Sequence, residues 1–270
     1  MITTFGDALL DVIVRLDEPL AAGADALATT QTAVGGQAAN VAAWISALGG
    51  DARCVTQNGD DLAARLVAAE LAARGVELVG PPARGRSGIV VSLVGADGER
   101  TMASDRGGAT GLSAEDLDAA WFACDCLHIS GYALLASPID TAALRAAELA
   151  RAAGARVSVD LSAWTRIRAY GPARFREQLE RLSPDLIFAN EAEWEIVGAA
   201  YGLAATAVVK RGARGVLVLG EERVELPAVA AEVVDATGAG DALAAGFLIG
   251  GPTLAVEAAA RCVSKLGAMP

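Results

Sequence analysis

Residues 233–251, VVDATGAGDALAAGFLIGG, set Gly238, Gly240 and Asp241 directly ahead of an apolar run that reads as a helix. Glycine costs about 1 kcal/mol relative to alanine inside a helix, and alanine is abundant elsewhere in this chain. Glycines at a helix start let backbone N–H groups approach a ligand, and with the helix dipole those amides form an anion site. Phosphate is the usual occupant, and a carboxylate beside it could take up a proton. The same residues also read as a strand-to-helix turn with Asp241 as a cap. Taken alone, the stretch divides evenly between the two readings.

The common phosphate motifs do not fit. A dinucleotide fingerprint needs a second strand and an acidic residue about 20 residues on. Only 29 residues follow Asp241, and they read as helix, turn and helix. A Walker-type loop needs Gly-Lys-Ser/Thr after its glycines, and none is there.

Other residues carry weaker signals. Asp11 in LLDVIV is a charge inside an apolar strand and demands a partner. Asn190 and Glu193 have the spacing of a helix cap and its capping-box partner. Lys210 reads as a charge at a strand end, and Arg100 and Arg106 as the solvated face of a hairpin. CDCLH would place Cys124, Cys126 and His128 on one face of a strand. His128 is the one histidine in the chain and the flanks are apolar, so a packed core outweighs a metal site there.

The whole chain bounds these readings. With 270 residues it can bury a full core, and one domain spanning 1–270 is expected. A net charge of −11 argues against a nucleic-acid partner. No apolar run reaches the roughly 20 residues of a membrane span, and MITTFGDALL lacks the features of a leader, so a cytoplasmic protein is expected. Strand-like runs at 52–59, 124–131, 155–162 and 184–190 each precede a helical run, which predicts an α/β fold with a largely parallel sheet. Residues 8–34 and 87–105 break that alternation and read as a small antiparallel sheet, with ADGE at 96–99 as a hairpin turn. Such a sheet could cover a ligand as a lid, or pair two subunits into a homodimer.

DATGAGDALAAGFL resembles the C-terminal signature of the ribokinase-like (PfkB) carbohydrate kinase family. GGQAANVAAWISALGG resembles its N-terminal signature, with Gly35, Gly36, Asn40, Ala42 and Gly49 at the family's spacing and Gly59 beyond. GDALLD is similar to the family's opening strand, LHISGY to a central strand, ANEAEW to its Asn-x-x-Glu motif, and VVKRGARG to a strand-turn carrying Gly212 and Gly215.

The resemblance implies a three-layer sandwich with a small β lid, and phosphoryl transfer from ATP to a hydroxyl of a sugar-like molecule. It implies Asp241 as general base and the Gly238, Ala239 and Gly240 amides as anion hole. Asp11, Gly35, Gly36 and Asn40 would bind the acceptor. Asn190, Glu193, Lys210, Gly212 and Thr237 would line the nucleotide side, with Glu193 organising Mg2+ indirectly and Asp235 in a loop for K+. Two departures stand out. VSVDLSAW keeps Asp160 but lacks the Asp-Pro-Asn of many relatives, and the chain closes soon after Asp241, so an altered rim on the nucleotide pocket is expected. A neutral hexose or pentose leads as acceptor, ahead of an acidic keto-sugar and a nucleoside. A silent sugar-binding relative is the alternative of a different class.

Overall fold

The computed structural model describes residues 1–95, 100–199 and 202–270; the expected turn at 96–99 and the Arg100 side chain lie outside the described residues. Chain order begins β1 (Ile2–Phe5), β2 (Leu9–Leu16), β3 (Ala28–Gly35), α1 (Gln37–Ala47), β4 (Ala52–Val55), α2 (Leu62–Ala73) and β5 (Val76–Val79). It continues through β6 (Ile89–Val94), β7 (Arg100–Asp105), β8 (Cys126–Ser130), α3 (Ile139–Ala152), β9 (Arg156–Asp160), α4 (Trp164–Tyr170) and α5 (Pro172–Leu182). The last elements are β10 (Leu186–Asn190), α6 (Glu191–Ile196), β11 (Thr206–Lys210), β12 (Val216–Leu219), β13 (Arg223–Leu226) and α7 (Ala239–Val263).

Nine strands form the central sheet in the order β13-β12-β11-β10-β9-β8-β1-β4-β5. Seven run parallel, and β12 and β13 add an antiparallel edge. Parallel strands are buried on both faces and need apolar cover on each. Here α1, α2 and α7 supply one layer around Trp44, Val67 and Leu243. The other layer comes from α3, α4, α5 and α6, around Ala146, Ile167, Phe175 and Trp194. Alanine on α1 and α3 lets both helices lie close to the sheet. Ala38, Ala39, Ala42 and Ala43 on one, and Ala142, Ala143, Ala146 and Ala147 on the other, are all buried.

The stretches that broke the alternation form a second sheet of four strands, β3-β2-β6-β7. It is mixed: β2 pairs β6 in parallel, while β2–β3 and β6–β7 are antiparallel. GDALLD is therefore split between the sheets. The chain leaves β1 at Gly6, and Asp11 belongs to the lid strand β2, opposite Ala33. β8 starts at Cys126, so Cys124 precedes the strand and does not share its face. Cys126 and His128 are buried and turn to Ser158 on β9, His128 Nδ1 lying 2.9 Å from Ser158 Oγ. This is a packed core, and burial pushes the imidazole down to about 4.

α7 breaks at Gly250 and Gly251, just before Pro252. Among the described residues it is one helix long and apolar enough to cross a membrane by length and composition, yet Ala242, Ala245, Ala255 and Ala258 are buried in the core beside α1.

Candidate active site

In a parallel sheet, ligands gather beyond the carboxyl ends of the strands. Ser130, Asp160, Asn190 and Lys210 are the last residues of β8, β9, β10 and β11. The register sets Ser130 beside Asp160 and Asn190 beside Lys210. The start of α7 meets this edge, and the lid lies across from it.

Gly238 is the N-cap of α7 with φ 76, and an added Cβ would lie 2.5 Å from the Ala268 Cβ. A side chain is therefore excluded by backbone conformation and by space. Ala239, Gly240 and Asp241 form the first turn, whose amides lack intrahelical acceptors. Asp241 does not cap its own helix; its Oδ2 accepts from Asn40 Nδ2 at 2.7 Å, joining α7 to α1. Desolvation is the largest influence on this carboxyl and raises it from the ordinary 3.8 to about 7, against the stabilising bond from Asn40.

Beside the helix start lies a buried ion pair that the sequence did not announce. Lys210 Nζ donates to both oxygens of Asp160, at 2.9 and 2.7 Å. Asp160 is fully buried, and Lys210 retains 14% exposure. A Cβ at Gly240 would stand 3.1 Å from Lys210 Nζ, so the ammonium flanks the first turn of α7. Lys210 is no solvated strand-end charge. Asp160, Glu193 and Asp241 all favour its protonated form, which outweighs the cost of burial and raises the ammonium.

Asn190 and Glu193 form the capping box their spacing suggested. Glu193 N–H donates to Asn190 Oδ1 at 2.9 Å, while Asn190 N–H and Nδ2 each donate to a Glu193 oxygen at 2.8 Å. Glu193 is buried, and its carboxyl is raised mainly by that burial. Asp235 Oδ1 accepts from the N–H and hydroxyl of Thr237, and its Oδ2 from Gly267 N–H at 3.0 Å. This carboxylate clasps the C-terminal turn to the loop that leads into Gly238. Gly212 opens the turn after β11 with φ 57.

The lid contributes Asp11. Its carboxylate lies so close over Gly35 that a Cβ there would come within 2.2 Å of Oδ2. Gly36, the N-cap of α1, passes equally close to the Asp7 backbone. Arg106, at the end of β7, corrects the reading of a solvated hairpin face. It makes a bidentate pair with Asp7 at 2.7 and 2.8 Å, is 17% exposed, and lies over the Tyr132 ring.

Asn40 and Asp241, 201 residues apart, thus meet directly, and Lys210 joins them at Gly240. Asp160, Gln37, Asp7 and Tyr132 were not read as site residues. Asp160 alone had a visible signal, a carboxylate closing the apolar strand VSVD.

A half-buried carboxylate raised toward neutrality, a glycine-opened helix terminus and an adjacent ammonium thus meet at the carboxyl end of the sheet. The family model of pfkB family carbohydrate kinases matches residues 1–269, and the chain belongs to that family. It is 31% identical to fructokinase-1 of Zea mays over 92% of this chain and 82% of that one. It is 32% identical to an ATP-dependent ribose-1-phosphate kinase of Halopiger xanaduensis, over 88% and 80%. Among solved structures, adenosine kinase from Sinorhizobium meliloti superposes with a TM-score of 0.85 at 26% identity, covering 100% of this chain and 95% of that one. The protein is a carbohydrate kinase with the ribokinase-like fold.

Proposed function

We propose that this kinase transfers the γ-phosphoryl group of ATP to a hydroxyl of a neutral sugar, with Asp241 as general base. The observation that carries the reading is the Asp241 carboxylate, half-buried in the first turn of α7 and held by Asn40. The acceptor hydroxyl gives its proton to Asp241 as its oxygen bonds to the γ-phosphorus and the bond to the leaving ADP oxygen breaks. A positioned base contributes roughly 10²–10⁴-fold, most effectively when its pKa lies near the working pH. The amides of Gly238 and Gly240 receive the negative charge, each such donor being worth about 3 kcal/mol, and the Ala239 N–H, which donates to the Ala236 carbonyl at 3.3 Å, would have to turn from it to join them.

The residues fit a triphosphate. Gly240 leaves its Cβ position open beside Lys210, and Thr237 and Gly212 flank the same helix terminus and strand end. Magnesium suits Glu193, whose two oxygens each accept one hydrogen bond and keep a lone pair for a metal-bound water. The metal, when bound, neutralises charge on the phosphates. A potassium ion near Asp235 would use main-chain carbonyls and the lone pair left on Oδ2, since Oδ1 already accepts two hydrogen bonds.

Neutrality of the acceptor follows from the charge balance of the lid side. Asp7 already neutralises Arg106, while Asn40 Oδ1 and Ser130 Oγ are buried without a partner among the described residues and suit hydroxyl groups. Asp11, lying against Gly35, adds an acceptor for sugar hydroxyls. Residues 1–270 act as one kinase unit under a lid of β2, β3, β6 and β7, and the exposed strand β3 is the edge through which two copies would pair. The test is ADP release with ATP and magnesium across neutral hexoses and pentoses, sugar phosphates, keto-acids and nucleosides. Turnover confined to a neutral sugar supports the reading, and preference for an anionic acceptor or a nucleoside overturns it.

A further inference from the structure

A cavity of about 340 Å³ lies between the edge strand β3, helix α2 and the turn at 265–270, and Asp11, Asn40, Lys210 and Asp241 are not among the residues that line it. Its walls are of two kinds. Leu10, Val34, Leu66 and Met269 give it an apolar side, while Glu70, Arg74 and Lys265 are the charged side chains facing it among the described residues.

Lys265 is the unsatisfied member. Its ammonium stands 5.0 Å from the centre of the Trp44 ring and makes no hydrogen bond or ion pair among the described residues. Arg261 covers the same ring at 5.7 Å. Partial burial, together with the nearby charges of Arg74 and Arg261, disfavours the protonated form of Lys265, and an anion beside it would relieve that crowding. Arg74 is only partly used. It gives two bonds to Glu70 Oε1, at 3.0 and 2.7 Å, and one to the Pro270 carbonyl at 2.7 Å. A guanidinium has five N–H groups, so two remain. Two cations against the one carboxylate leave the lining at a charge of +1. A monoanion matches that balance, whereas a dianion would meet Glu70 with more repulsion. The planar fork of an arginine suits a carboxylate.

We propose that this cavity binds a small aliphatic carboxylate, its charge on Lys265 and Arg74 and its chain against Leu10, Val34 and Met269, and that the bound anion favours nucleotide binding at the active site. The contacts behind the cavity wall lead there. Gly267 donates its N–H to Asp235 Oδ2 at 3.0 Å, clasping the loop that precedes Gly238. Ala268 accepts from Trp44 Nε1 at 2.8 Å and packs against Gly238. Trp44 in turn stands one turn after Asn40 on α1, and Asn40 holds Asp241. A ligand that fixes residues 265–270 therefore steadies the helix start facing the phosphates. The coupling rests on the reading of Gly238 as part of the phosphate site, whereas the binding does not.

The experiment titrates acetate, butyrate, hexanoate and inorganic phosphate into the full chain by calorimetry, with and without ATP and magnesium. Each added CH2 is expected to tighten binding about fourfold. Hexanoate should tighten ATP about fivefold, and ATP should tighten hexanoate by the same factor. Lys265→Met removes the charge, and Leu66→Trp fills the cavity from a position 43% exposed. Each should weaken hexanoate by about tenfold or more and leave turnover without carboxylate unchanged. The absence of saturable binding overturns the site, as does binding that survives both variants or that a saturating acceptor displaces. Phosphate bound there in preference to hexanoate overturns the carboxylate assignment. Binding lost in the variants, with ATP affinity unmoved by hexanoate in the parent, overturns the coupling alone. Should Lys265→Met fail to fold, Leu66→Trp carries the test. Turnover in Asp241→Asn would overturn the base assignment and touch neither result.

Discussion

The Lys210–Asp160 pair offers a perturbation whose structural and chemical effects can be separated. Lys210→Met keeps most of the stem and removes the ammonium, leaving Asp160 fully buried with its bidentate partner gone. Breaking such a pair costs about 3–5 kcal/mol, because a buried charge is left uncompensated. For a chain of this size each kcal/mol moves Tm by about 2–4 °C, so a fall of roughly 6–20 °C is expected. Adding Asp160→Asn removes the orphaned charge and should restore most of that stability. Turnover should behave otherwise. With the cation beside Gly240 gone, charge on the transferring group loses a partner, and kcat falls about 10²-fold in the single and the double variant alike. Thermal unfolding and steady-state ADP release on the same preparations decide the matter. A Lys210→Met protein with unchanged Tm refutes the energetic argument, and a double variant with full turnover refutes the chemical one.

Asp241 makes stability depend on pH with a definite sign. Its carboxyl lies at about 7 in the fold against an ordinary 3.8, so the folded state holds the extra proton between those values and stability falls as pH rises through that window. Asp241→Asn should accordingly gain in Tm relative to the parent as pH rises from about 4 to about 7, then level off, as scanning calorimetry would show. The acid limb of kcat/KM should likewise fall near pH 7. Gly238→Ala combines φ 76 with a Cβ 2.5 Å from that of Ala268. It should cost about 2–4 kcal/mol in denaturant unfolding and lower kcat with the distorted helix start. Arg106→Lys keeps the charge but loses the bidentate geometry on Asp7. It should raise KM for the acceptor more than KM for ATP in steady-state kinetics.

What was legible in the chain had a local cause. The glycines before Asp241 stand out because a helix does not otherwise use them, and the alternation of strands and helices follows from hydrophobic spacing. The capping box of Asn190 and Glu193 was readable because its partners are three residues apart. The Asp160–Lys210 pair was not, since its members are 50 residues apart and meet across the intervening strand β10. Asp11 was read as a functional charge, and it does fall in the lid stretch expected at 8–34. Nothing in GDALLD shows that the chain crosses from β1 to the lid at Gly6, whose φ of 147 makes the break. Arg106 was misjudged for a similar reason, because its partner Asp7 lies 99 residues earlier. Ser162, whose φ is 77 and whose N–H reaches Asp160 Oδ1 at 3.2 Å, had no signal at all, for a left-handed serine looks in sequence like any other.

The central claim is that Asp241 takes the acceptor proton beside a helix terminus that holds phosphate. The most direct test is single-turnover phosphoryl transfer by Asp241→Asn, using the acceptor found for the parent, with ATP and acceptor affinities measured by calorimetry on the same protein. The account predicts affinities within a few-fold of the parent and a transfer rate lower by about 10²–10⁴-fold. Near-parental transfer, or a loss accounted for by weakened binding, would contradict it.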